Sequence, residues 1–364
     1  MKLKVSKEAV NAGLQRVLSV VAARSTIPVL SNVLFRAEDG RLWLTATDLD
    51  VSVRVGVEGT VEEAGGTTLP ARTVAGVLRE APGPEVEMET AEGEATDIRS
   101  ASAFFRLRGI AEEDFPPMPT FGEGPSYTVE APVLRAMLQR TGYAASVDET
   151  REVLNGVVLV FREGKLTAVA TDGRRLALIE QEVEFAREHE GELILPSKTV
   201  AELIRVLDEE GTVRLARAGS QVMFRTESMV LASKLIDGTF PNYRQVIPSA
   251  SETRIAIERE LLLNAVRRVA LLTSERSNSV KLVFGSNRLQ ISASSPDIGE
   301  ASETLSVKYD GTEIAVSFNP DFIVEPLRNL VTDEVYIELT DEMNPGVIKT
   351  DDPFLYVLMP MRMS

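Results

Sequence analysis

Four stretches of this chain occur twice, in the same order and at the same spacing. Leu14-Gln15-Arg16 returns as Leu138-Gln139-Arg140, Ala46-Thr47-Asp48 as Ala170-Thr171-Asp172, Pro70-Ala71-Arg72-Thr73-Val74 as Pro196-Ser197-Lys198-Thr199-Val200, and Phe115-Pro116-Pro117 as Phe240-Pro241-Asn242. The shared offset is roughly 125 residues, about the commonest domain size. A third, fainter copy follows, in which Lys165-Leu166 matches Arg288-Leu289 and Glu202-x-x-Arg205 matches Glu325-x-x-Arg328. A chain with this periodicity folds as a series of like units rather than around one core. We expect modules at residues 1–122, 126–248 and 252–364. Their joints are short and turn-forming, with Pro116-Pro117-Met118-Pro119 and Gly122-Glu123-Gly124-Pro125 at the first and Pro248-Ser249-Ala250-Ser251 at the second.

Inside a module the pattern is a strand, an amphipathic helix and alternating strands, then the same again. Val10, Leu14, Val17, Leu18 and Val21 share one helical face, whereas Leu42-Trp43-Leu44-Thr45-Ala46 and Val51-Ser52-Val53-Arg54-Val55 have strand character. The second half starts at Thr67-Thr68-Leu69-Pro70, turns helical through Val74, Val77, Leu78 and Ala81, and resumes strands at Val86-Glu87-Met88-Glu89. Each module therefore reads as α+β, with two helices packed on antiparallel sheets. Trp43 is expected to serve as strand packing.

Composition narrows the function. With no cysteine in 364 residues there is no disulfide, thiolate nucleophile or cysteine metal site. No N-terminal h-region and no bilayer-length apolar run is present, so we expect a cytoplasmic protein without a membrane partner. Against 39 Lys and Arg stand 55 Asp and Glu, a net charge of −16. Simple nucleic-acid binding draws its affinity from a basic excess that displaces counterions. This chain can hold nucleic acid only if its basic residues are segregated or if retention is topological.

Segregation is legible. The six predicted helices carry arginines at equivalent points, Arg16, Arg140 and Arg268 on the first helix of each module and Arg79, Arg205 and Arg328 on the second. At about 100° per residue, Arg205 lies roughly 150° from the centre of the Val200, Leu203, Ile204 and Leu207 stripe, with Lys198 on the same remote side. Arg72 and Arg79 repeat this placement against Val74, Val77, Leu78 and Ala81. Glu8, Glu202 and Glu325 share the helices, so the face is only mildly basic and suits touching phosphates without gripping them.

Geometry then sets a copy number. A unit of this size is roughly 35 Å across as a solid sphere, so six touching units leave a hole about as wide as one, and three leave only about 5 Å. Duplex DNA is on the order of 20 Å wide. Encircling it takes two chains, joined head to tail about a two-fold axis.

The modular plan, with Ala170-Thr171-Asp172-Gly173-Arg174-Arg175-Leu176, Lys234-Leu235-Ile236-Asp237-Gly238-Thr239-Phe240-Pro241-Asn242-Tyr243-Arg244 and Met359-Pro360-Met361-Arg362, resembles the bacterial DNA polymerase III beta subunit over nearly the whole chain. The resemblance implies a DNA clamp fold, a ring-shaped homodimer with helices lining the hole, and a sliding clamp that tethers the replicative polymerase. It further implies loading by an ATP-driven clamp loader, and repair partners that dock a short peptide of the Gln-Leu-x-Leu-Phe kind. Carried over residue by residue, the peptide pocket is Leu154, Thr171, Gly173, Arg175, Leu176, Pro241, Val246, Asn319, Phe322, Met343, Val357, Met359, Pro360, Met361 and Arg362. Apolar side chains with two arginines suit an aliphatic or aromatic anchor beside an acidic flank. Arg24, Arg72, Arg151 and Lys198 match further DNA-side positions, and Phe105 and Leu107 would meet Leu271 and Leu272 of the second chain. Ser277, Pro345, Met363-Ser364 and Glu152-Val153 depart from the family pattern, which leaves partner preference open.

No catalytic, cofactor or metal site is expected. His189, the one histidine, sits in the charged run Arg187-Glu188-His189-Glu190-Gly191, which suits a solvated turn. No phosphate-cradling Gly-x-x-x-x-Gly-Lys-Ser/Thr motif occurs, and Asp48 and Asp172 occupy equivalent points of separate modules, too far apart to work as a pair. The rival reading is a non-enzymatic scaffold that binds proteins through its modules without enclosing DNA.

Overall fold

A computed structural model describes residues 1–22, 25–90, 95–120, 125–249, 253–274 and 278–361. Two α-helices fall in each expected module: α1 (Lys7–Val17), α2 (Ala71–Glu80), α3 (Ala131–Thr141), α4 (Ser197–Val206), α5 (Arg259–Ala270) and α6 (Pro320–Asn329). Ser6 caps α1, accepting from the Ala9 amide at 3.4 Å, and Asn319 caps α6 at 2.9 Å with Pro320 next, where a missing N–H is harmless. Helix α1 buries Val10, Leu14 and Val17 as its stripe predicts, but it ends at Val17, before Leu18 and Val21.

The helix pairs are tied alike in all three modules. A side chain of the first helix donates to an equivalent carbonyl near the end of the second: Asn11 Nδ2 to Leu78 at 3.1 Å, Arg135 Nε to Ile204 at 3.0 Å and Arg259 Nη1 to Leu327 at 2.9 Å. Each contact satisfies an acceptor that the helix end would otherwise leave unpaired.

The chain divides into two compact units, residues 1–135 with 201–235 and residues 136–200 with 236–364. The first unit contains one 12-stranded sheet; the second contains an eight-stranded and a four-stranded sheet. The middle module is thus shared between the units, a division that its linkers do not predict.

The cause is strand pairing across the module boundaries. Strand Val51–Glu63 of the first module pairs antiparallel with Met229–Lys234 of the middle module, from Val51 opposite Ser233 to Val55 opposite Met229. Strand Arg175–Glu182 pairs with Phe354–Leu358 of the third, from Arg175 opposite Leu358 to Ile179 opposite Phe354. The two joints are copies of each other, since Val51 and Arg175 are equivalent positions. In each, the last strand of one module saturates an edge of the module before it.

A repeated turn explains the recurring Ala-Thr-Asp. Asp48 Oδ1 accepts from the amides of Asp50 and Val51 at 3.0 and 2.9 Å, and Asp172 Oδ1 accepts from those of Arg174 and Arg175 at 2.8 and 3.0 Å. These aspartates close turns. The residue after each adopts a left-handed conformation, Gly173 at φ 87° and Leu49 at φ 78°. Trp43, half-buried on its strand, packs under the Arg54 guanidinium at 4.4 Å, as strand packing predicts.

Candidate functional site

The second unit carries an apolar floor of Leu154, Val158, Val169, Leu176, Leu178, Ile194, Phe240 and Val357. Over it opens a small cavity of about 50 Å³ lined by Thr171, Gly173, Arg174, Arg175, Leu176, Val246, Val357 and Met359. Met359 also borders a wider trough of about 720 Å³, whose other walls are Lys281, Ala315, Val316, Ser317, Glu342, Met343, Pro360 and Met361. The backbone amides of Met359 and Met361 donate to the Arg174 and Ser317 carbonyls at 2.9 and 2.7 Å. This pins the segment on both sides and leaves both thioethers partly exposed, at 38% and 39%. Met343 is held by a turn in which the Asp341 carboxylate accepts from the Met343 and Asn344 amides, both at 2.8 Å. Those backbone donors, with the Asn344 side chain, hold the Asp341 carboxyl below its usual range. The result is an adaptable methionine rim around a fixed aliphatic hole.

Arg175 lines the cavity, but its charge is met within the protein. Its side chain is only 9% exposed and its guanidinium is engaged on every side. It pairs with Asp172 at 3.1 Å and with Glu325, donates to the Tyr143 carbonyl at 2.7 Å, and stacks over the Phe322 ring at 4.4 Å. It is a strut between the cavity wall and α6, and through it Phe322 reaches the site. Burial pushes the Tyr143 and Tyr356 phenols beside it above their usual range, so both stay neutral. The outward cation is Arg174, because successive residues entering a strand point to opposite faces. Arg174 and Lys281 were not foreseen as lining residues. The alternation of the strand Val280–Gly285, with Val280 buried and Lys281 half-exposed, is the signal that marks the latter.

Of the other expected pocket residues, Pro241 is exposed beside buried Phe240, Asn319 caps α6, and Arg362 lies outside the described residues.

The helix arginines do not share one open face. Arg79, Arg205 and Arg328 on the second helices are exposed, as are Arg72 and Lys198. On the first helices, Arg16 reaches Asp208 at 2.9 Å, Arg140 is only 14% exposed and reaches Asp352 at 3.0 Å, and Arg268 holds Glu303 with two bonds, at 2.9 and 2.5 Å. Spacing along a helix predicts direction, but not a carboxylate arriving from a distant loop. Arg151 is half-exposed and bonded to Asp148 at 3.1 Å and to the Asp172 carbonyl at 2.7 Å, and Arg24 lies outside the described residues. Phe105 and Leu107 are half-buried on the strand Ala103–Arg108, Leu272 is half-buried, and Leu271 is 76% exposed.

Among the described residues no group of His, Asp and Glu is placed to hold a metal ion, and no helix is long and apolar enough to cross a membrane. His189 lies half-exposed in the 3₁₀ turn Arg187–His189.

Repeated α+β modules with shared sheets define a multi-module protein of the DNA-clamp fold. Residues 1–119, 128–242 and 244–362 match the N-terminal, central and C-terminal domains of the DNA polymerase III beta subunit. The beta sliding clamps of Chlamydia pneumoniae and Bacillus subtilis are 34% and 30% identical to the chain, over all of it and 99% and 100% of their own lengths. Crystal structures of the Bacillus subtilis DNA polymerase sliding clamp and of a Bartonella birtlesii sliding clamp bound to griselimycin superpose with TM-scores of 0.92 at 29% and 33% identity, each covering both chains in full. The chain belongs to the bacterial DNA polymerase III beta subunit family.

Proposed function

We propose that two copies of this chain close head to tail into a ring that slides on duplex DNA and tethers the replicative polymerase, without catalysing a reaction. The observation that carries this reading is the twice-built joint. Carrying it one module further matches two strands that, among the described residues, each pair on one side only, Ala103–Arg108 and Gly299–Ser306. Val53 lies opposite Leu231 and Ala177 opposite Tyr356; with the strand starts Ala103 and Met229 aligned, the next step sets Phe105 opposite the partner subunit's Ala301 and Leu107 opposite the partner's Gly299. Leu272 stands where Val20 and Ala144 are buried in the first two modules. In this reading the module boundaries are residues 1–122, 126–248 and 252–364, the exposed second-helix arginines with Arg72 and Lys198 face the phosphates, and the chain works in the cytoplasm, where bacterial DNA is.

The cavity and trough receive partner peptides: an aliphatic or aromatic anchor over Leu176 and Val357, a second apolar side chain among the methionines, and an acidic flank near Arg174 and Lys281. Griselimycin on the Bartonella relative suits such a groove. The clamp loader and repair proteins are the expected further users. Retention decides the matter. Loaded on a closed circle, the protein should resist high salt until the circle is cut, because release then requires opening the ring. Equal loss from closed and cut circles would leave a surface-binding scaffold instead.

A further inference from the structure

Sulfur is distributed unevenly in this protein. Among the described residues, Met88, Met137, Met223 and Met229 are buried, and Met1 and Met118 are half-buried. Met343, Met359 and Met361 are exposed, Met343 by 62%, and all three border the same trough. The chain has no cysteine, so a two-electron oxidant meets no thiolate first, and the accessible thioethers are its preferred targets.

The architecture does not require sulfur at this place. The backbone bonds that pin Met359 and Met361 recur one module earlier, where the amides of Lys234 and Ile236 donate to the Asp50 and Ile194 carbonyls, both at 3.0 Å. Lys234 and Ile236 thus hold the places of Met359 and Met361 and make the same stitches with side chains that resist oxidation.

We propose that Met343, Met359 and Met361 form a modification site for peroxide, and that their conversion to sulfoxides closes the trough to apolar peptide side chains. The step balances. A sulfur lone pair attacks one oxygen of hydrogen peroxide, an S–O bond forms as the O–O bond breaks, and the departing hydroxide takes the proton of the transferred hydroxyl and leaves as water. Sulfur loses two electrons and peroxide gains them. The product sets a polar, strongly accepting oxygen where an aliphatic or aromatic anchor would lie, and covering that oxygen with an apolar side chain is unfavourable without a donor. The backbone bonds at Met359 and Met361 do not involve their sulfurs, so the fold should survive while partners are shed. The loss of docking rests on the peptide reading proposed above; the order in which the sulfurs oxidise does not.

The test treats the full chain with graded hydrogen peroxide and follows each methionine by peptide mapping in a mass spectrometer, beside fluorescence anisotropy with a labelled Gln-Leu-Ser-Leu-Phe peptide. Met343, Met359 and Met361 should oxidise at least ~10-fold faster than Met88, Met137, Met223 and Met229. Peptide affinity should fall ~10-fold or more as they convert, and methionine sulfoxide reductases for both sulfoxide epimers should restore it. A triple variant, Met343→Leu with Met359→Leu and Met361→Leu, should be unmoved by the same dose when compared with its own untreated affinity. Buried methionines that oxidise as fast as the trough set overturn the modification site. Unchanged affinity after full conversion of the three, or a loss that the reductases do not reverse or that the triple variant shares, overturns the closing of the trough. An untreated wild type that binds no peptide overturns the docking reading itself, and the mapping still decides the modification site. If the triple variant binds no peptide, reversal by the reductases in the wild type carries the comparison.

Discussion

Removing the Arg175 guanidinium would leave the Asp172 and Glu325 carboxylates without their shared counter-charge beside the small cavity. Breaking such a largely buried pair costs on the order of 3 kcal/mol, and lysine, which lacks the planar fork that also stacks on Phe322, should rescue little of it. Arg175→Ala is therefore expected to lower the urea midpoint and weaken peptide binding together. Arg174→Ala should leave the midpoint within about 0.5 kcal/mol and weaken only peptides with an acidic flank. The paired left-handed turns allow a second comparison. Gly173→Ala forces a Cβ into a left-handed backbone near the Arg151 guanidinium and should cost about 1 kcal/mol, whereas Leu49→Gly relieves the same strain and should be neutral to slightly stabilising in a denaturant titration.

Among the helices, exposure separates the arginines into two kinds. Alanine at Arg79, Arg205 or Arg328 should leave stability nearly unchanged and lower the salt dependence of DNA binding by about one unit of slope each. Alanine at Arg140 should instead lower the melting temperature, because Arg140 is nearly enclosed and bonded to Asp352. Fluorescence anisotropy over a salt series, beside a thermal melt, distinguishes the two. The placing of all six helices was legible in the sequence, because apolar stripes such as Val10, Leu14 and Val17 carry their own period. Their ends were less so: α1 stops at Val17 although the stripe runs on through Val21. The inward turn of Arg175 was not legible either, since its partners Glu325 and Tyr143 lie far away along the chain and leave no local mark.

Across the whole molecule, the repeat predicted three modules but not the sheets that run through their boundaries, because a pairing such as Val51 with Ser233 is a long-range choice that composition does not signal. Turn-forming linkers look like places to cut. Yet residues 126–248 expressed alone would present Met229–Lys234 without Val51–Glu63 and Arg175–Glu182 without Phe354–Leu358. Two stripped strand edges invite self-association. The isolated middle module should run as concentration-dependent oligomers in size exclusion, where the intact chain gives one defined species.

The shared strands also bear on how a ring of this kind can open. A hinge needs a place where little is held, and both internal joints are stitched along their length by backbone hydrogen bonds. In the proposed ring, opening would then be confined to the two seams between the chains, which no peptide bond crosses. An agent that threads DNA through the circle would have to pry at one of those two places.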